Sequence, residues 1–118
     1  MNRFLIFITG LFLMFFSCSY ERTYTKYSVK DLSKVVNDTL EVNTPERVNN
    51  LEVLIKGTIN GRAVLKFENG SGRYNTIELE GLINEVYATE WYDTKCKFIY
   101  EPVSKVKGDS LILEYRIY

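Results

Sequence analysis

Histidine is absent from this 118-residue chain. Its absence excludes Ser-His-Asp and Cys-His nucleophile systems, histidine general bases and the usual zinc and copper sites. Cysteine is nearly absent, with only Cys18 and Cys96. If Cys18 is used for another purpose, Cys96 has no partner, and the domain must fold without an internal disulfide even in an oxidising compartment. An excess of charge of either sign is also missing, with 15 Lys and Arg against 15 Asp and Glu. Removing residues 1–17 takes away one cation, Arg3, and leaves 14 against 15. That balance lacks the basic footprint of nucleic-acid binding and offers no basic cluster for acidic lipid. Finally, no apolar run is long enough for a membrane span, which needs ~20 residues.

The longest apolar run is nevertheless informative. Met1-Asn2-Arg3 places one positive charge ahead of an uncharged stretch from Phe4 to Phe16, and Ser17-Cys18 follows directly. Charge, length and position fit a cleaved export signal. A small residue followed by cysteine at this point resembles the lipobox of bacterial lipoproteins, with Phe15 and Phe16 standing where the commonest pattern has an aliphatic and a smaller residue. The resemblance implies cleavage before Cys18 and a diacylglyceryl group on its sulfur, a covalent lipid and no other cofactor. Two or three acyl chains would anchor durably, whereas a single chain binds a bilayer only marginally. The alternatives are an ordinary secretory signal with an incidental cysteine and an uncleaved anchor. Ser19 resembles the default outer-membrane sorting residue. Only Glu21 is acidic nearby, which favours a periplasm-facing location over the cell surface. In signal and general design the chain resembles small bacterial envelope lipoproteins.

The remaining residues read as strands. The expected organisation is a signal peptide over 1–17, the lipidated cysteine and a tether over 18–28, and one domain over 29–118. Val29–Val36 fits either a short helix capped by Ser28 or an edge strand. Thr39–Asn43 alternates as a strand and ends at Pro45. Leu51, Val53, Ile55 and Ile59 alternate with polar positions, and after Asn60-Gly61 the alternation resumes at Ala63, Leu65 and Phe67. A two-residue Asn-Gly turn would set core residues against charges, so the pattern predicts a three-residue turn with Ile55 facing Leu65 and Val53 facing Phe67. By the same test Gly70-Ser71-Gly72 is a loop that sets Phe67 opposite Asn75, Leu65 opposite Ile77 and Ala63 opposite Leu79. Further strands are expected over Ile83–Tyr92, over Lys95–Glu101 with Cys96, Phe98 and Tyr100 on one face, and from Leu111 onward after a Gly108-Asp109 turn. Six to eight short antiparallel strands at steady spacing predict an all-β fold, a small β-sandwich of immunoglobulin-like or related type.

Candidate chemistry is sparse. Glu78 and Glu80 share one strand face and could form a hydrolytic carboxylate pair, but a solvated outer sheet face explains them better. Cys96 lies between Lys95 and Lys97, which could lower a thiol pKa, yet strand parity places it with Phe98 and Tyr100 as a core thiol. Asp93 and Asp109 stand in loops without the ligand spacing of a calcium site. Catalytic and metal residues are therefore expected to be none, and the chain is not expected to be an enzyme. The positive signal is aromatic: nine Tyr and one Trp, against two phenylalanines, Phe67 and Phe98, beyond residue 18. Tyr and Trp are enriched at interfaces. Trp91, Tyr92 and Tyr87 are the expected binding surface, with Trp91 equally suited to a sandwich core. The expected function is a lipid-anchored, non-enzymatic protein-interaction module, of accessory or immunity type. The alternative is a glycan binder that stacks sugars on Trp91 and Tyr92.

Overall fold

The computed structural model describes residues 23–118, so the signal segment and Cys18 lie outside the described residues. Six antiparallel strands follow in order: β1 (Thr25–Val29), β2 (Val36–Glu41), β3 (Asn50–Glu68), β4 (Tyr74–Glu90), β5 (Lys95–Pro102) and β6 (Lys107–Ile117). The all-β expectation holds. β1 extends into the segment expected as tether, where Thr25–Ser28 pair with β6. The Val29–Val36 ambiguity resolves as neither a helix nor one strand. It is the end of β1, a turn at Leu32–Lys34 and the start of β2.

The organising element is β3. It runs nineteen residues with Leu51, Val53, Ile55, Ile59, Ala63, Leu65 and Phe67 buried. The predicted hairpin at Asn60-Gly61 does not form, so Ile55 does not face Leu65 and Val53 does not face Phe67. Instead β3 continues past Asn60-Gly61, which are two extra residues opposite a single step of β4: Ile59 pairs with Gly81 and Arg62 with Glu80. Gly61 does have the positive φ expected of it, 117°. An insertion of two residues preserves side-chain parity, which is why the apolar face stays continuous. Bulges and positive-φ glycines bend a ribbon and let one strand serve two layers. Gly81, with φ 66°, is the matching point on β4. The expected pair of strands at 73–82 and 83–92 is therefore one long strand.

Beyond the bulge β3 changes neighbours. Residues Leu51–Asn60 pair with β6, which carries β1, and Ala63–Phe67 pair with β5, which carries β2. The result is a β-sandwich whose two layers are continuous through the bent β3–β4 ribbon, so that it is nearly a closed barrel. In the immunoglobulin arrangement the two sheets are separate. The second register prediction holds in full, with Ala63 opposite Leu79, Leu65 opposite Ile77 and Phe67 opposite Asn75.

The layers meet through apolar side chains and a few polar clasps. Tyr27 of β1 packs edge-on against Phe98 of β5, ring centroids 5.0 Å apart. The Tyr115 hydroxyl donates to the Glu41 carbonyl at 2.8 Å, and the buried Tyr100 hydroxyl donates to the Leu32 carbonyl at 2.7 Å. No buried side-chain nitrogen or oxygen among the described residues lacks a partner. Gly108-Asp109 forms no turn. Both residues belong to β6, where Gly108 pairs with Ile59 at a register shift, and the chain reverses earlier, over 103–106. A Cβ on Gly108 would lie 2.6 Å from the Thr58 carbonyl, so the close approach of the strands requires glycine there.

Candidate functional site

β4 pairs with β3 along its whole length and with no other strand among the described residues. One side of a seventeen-residue strand is therefore an open edge. Natural sheets shorten or shield such edges, often with lysine or proline, and β4 has neither. It carries Glu78, Glu80, Glu85 and Glu90 and no Lys or Arg. The three glutamates at 78, 80 and 85 make no ion pair with another described residue.

The outward face of β4 reads Glu78, Glu80, Leu82, Asn84, Val86. Leu82 is 84% exposed and Val86 62%. These side chains occupy alternate residues of one face, as the two-residue period of a strand requires, with the two carboxylates before the bend at Gly81 and the two apolar side chains after it. A shallow hollow of about 370 Å³ adjoins the acidic end, with Glu78, Glu80 and Leu79 on the β4 side and Arg62, Val64 and the exposed Val103 opposite. Glu78 and Glu80 are both exposed on this face, with no enclosed cleft of described residues around them.

The three aromatic candidates separate. Trp91 is 7% exposed, and its indole Nε1 donates to the Lys95 carbonyl at 3.0 Å, so it is a core residue at the end of the sandwich. Tyr87 is half-buried. Its ring stacks on Phe67 and its hydroxyl accepts from Asn75 Nδ2 at 2.8 Å. Tyr92 alone is open, at 71%, with its hydroxyl donating to Glu90 at 3.0 Å. That carboxylate holds the Tyr92 hydroxyl proton and raises its pKa. Trp91 and Tyr92 line one hollow of about 570 Å³ with Glu68, Glu90 and Asp93, and Tyr87 lies outside it. With Trp91 packed inward and Tyr87 stacked on Phe67, Tyr92 is the one fully exposed ring among the three candidates.

Cys96 is fully buried opposite Leu40 of β2, with its Sγ 3.9 Å from the Glu68 carbonyl at the end of β3. Burial, reinforced by the negative charges of Glu68 and Asp93, pushes its thiol up to about 12. The lysines at 95 and 97 face outward, as strand parity predicts, and do not activate it. Asp93 is occupied in its own turn, accepting from the Lys95 backbone N–H at 3.1 Å. Among the described residues no group of three or more acidic or cysteine side chains is arranged to hold a metal ion.

Sequence reasoning missed β4 as an edge. The signal was present as a stretch, 74–92, with four glutamates and no cation. A scan against protein-family models finds no match to this chain, and a search of curated proteins finds none either.

Proposed function

We propose that this chain is a lipid-anchored lipoprotein of the bacterial envelope, held at the outer membrane and facing the periplasm, that works as a non-enzymatic protein-interaction module of accessory or immunity type. The observation that carries the interaction reading is the open edge of β4, long, apolar at Leu82 and Val86, and charged with one sign. Two features argue against catalysis. The only thiol in the domain is held protonated in the core, and the Glu78–Glu80 pair lies on an exposed face. The anchor rests on Arg3, the Phe4–Phe16 run and Ser17-Cys18. Intact-mass measurement of the native protein tests the anchor, with loss of residues 1–17 and gain of a diacylglyceryl mass expected. Cys18→Ala should move the protein out of the detergent phase. Retention in membranes, uncleaved, would favour a spanning anchor instead.

A further inference from the structure

An interaction module needs a partner of definite chemistry, and the β4 edge specifies one. An exposed edge offers unpaired backbone N–H and C=O groups as a template for an additional strand. Residues directly opposite across strands have Cβ atoms about 4.5–5.5 Å apart, so opposite charges attract and like charges repel at that position. Along β4 the outward row is acidic at Glu78 and Glu80 and apolar at Leu82 and Val86. Neither carboxylate makes an ion pair with a described residue, although Arg62 stands opposite Glu80 on the β3 side. A second copy of this chain would bring the same four glutamates and no cation in β4, so charge opposes self-pairing.

We infer that β4 receives an extended basic segment of a partner protein as an added strand, with cations opposite Glu78 and Glu80 and apolar side chains opposite Leu82 and Val86. This rests on the interaction-module reading and adds the partner's chemistry to it. Antiparallel addition gives the segment the pattern apolar-x-polar-x-apolar-x-basic-x-basic. Backbone pairing supplies the docking, the alternate side chains supply selectivity, and the charges supply steering that weakens with salt.

The test uses the full chain in detergent with three synthetic nonapeptides. The first is Val-Thr-Thr-Thr-Val-Thr-Lys-Thr-Lys, the second has glutamate in place of both lysines, and the third is the lysine peptide in scrambled order. The lysine peptide is expected to bind at low salt at least tenfold more tightly than either control, to weaken as salt rises, and to slow amide exchange over residues 76–88. The double variant Glu78→Lys/Glu80→Lys, altered only at exposed positions, should reverse the preference toward the glutamate peptide. Absent binding, equal binding of the lysine and glutamate peptides, or protection mapped elsewhere would overturn the inference. So would concentration-dependent protection of β4 without peptide, in favour of a second copy. A photocrosslinking residue placed at Val86 or at Tyr92 in native membranes separates the two levels. Adducts at Val86 that the lysine peptide competes away and the glutamate peptide does not support the assignment, and adducts at Val86 indifferent to both peptides overturn it. Adducts only at Tyr92 overturn the β4 assignment and leave the module, and adducts at neither position overturn the module itself.

Discussion

The ring of Tyr87 lies nearly flat on that of Phe67, with centroids 4.5 Å apart and planes 11° apart. Tyr87 belongs to the second half of β4, opposite Val53, and Phe67 to the last turn of pairing on β3, opposite Asn75. The contact therefore joins the two arms of the bent ribbon, and the bond from Asn75 to the Tyr87 hydroxyl repeats the link at the rim. Aromatic pairs of this kind add to simple area burial. Tyr87→Ala should cost roughly 2–3 kcal/mol in urea denaturation, near the lower end for losing an aromatic from a packed site. Tyr87→Phe keeps the stack and should cost less than about 1 kcal/mol.

Gly61 and Gly81 provide a paired test of the bend. Both have positive φ, but a Cβ on Gly61 would lie 2.5 Å from the Lys105 carbonyl, whereas one on Gly81 meets nothing within 4 Å. Gly81→Ala should carry only the conformational cost, about 1–2 kcal/mol. Gly61→Ala adds a clash with backbone and should cost more, roughly 2–4 kcal/mol. Equal losses in thermal denaturation would mean that the close approach at Gly61 is easily relieved.

Cys96 should resist a maleimide in the native protein and label fully once denatured. Cys96→Ser should lower stability by roughly 1–3 kcal/mol, because a hydroxyl replaces a soft apolar group in a buried site. Fast native labelling would show that the thiol is accessible and reopen a redox role.

The same thiol predicts a pH dependence. Its folded pKa is raised from 9.0 to about 12, so the native state holds the proton more tightly than the unfolded chain does. This contribution is fully present below pH 9 and is lost as pH rises toward 12, at up to about 1.4 kcal/mol per pH unit. Tyr27, raised from 10.0 to about 12 by burial and by its bond to Asp38, adds a second loss that begins near pH 10. Stability should therefore fall from pH 9 upward, and Cys96→Ala should flatten the curve chiefly between pH 9 and 10. An unchanged slope in that variant would assign the loss to other groups.

Tyr92→Ala should leave stability within about 0.5 kcal/mol of the parent protein, the usual range for an exposed site. Trp91→Ala should cost roughly 3–5 kcal/mol, since it empties a packed position and orphans the Lys95 carbonyl. Parallel melting curves for the two variants check the division between surface and core.

Which residues face inward was legible from the sequence, because alternation fixes a side-chain face directly. Cys96, Phe98 and Tyr100, or Ala63, Leu65 and Phe67, could be placed without coordinates. Which strands are neighbours was less legible. Asn60-Gly61 suits a hairpin turn and also a two-residue bulge, and both keep Ile55 and Leu65 on one face. Parity cannot separate them, and the choice depends on β6 and β5 arriving on one side of β3 from distant parts of the chain. β1 escaped notice for a related reason. It is a short edge strand with only Val29 fully buried, so its apolar content resembles that of a linker. Of the aromatic candidates, neither Trp91 nor Tyr92 could be assigned by parity, because both follow the end of β4 at Glu90, where strand periodicity no longer applies.

The start of β1 also sets a length. Thr25 follows Cys18 by seven residues, and seven residues cannot stretch beyond about 25 Å. If Cys18 carries the proposed lipid, the sandwich would be leashed within about that distance of the headgroups. So tethered, it would search for the proposed partner in two dimensions, at a local concentration set by the crowding of that membrane, where even a weak strand-to-strand encounter would recur often. On that proposal, a partner anchored in the same leaflet, or one that projects a basic segment close above it, would be favoured over a protein that must first come to the bilayer.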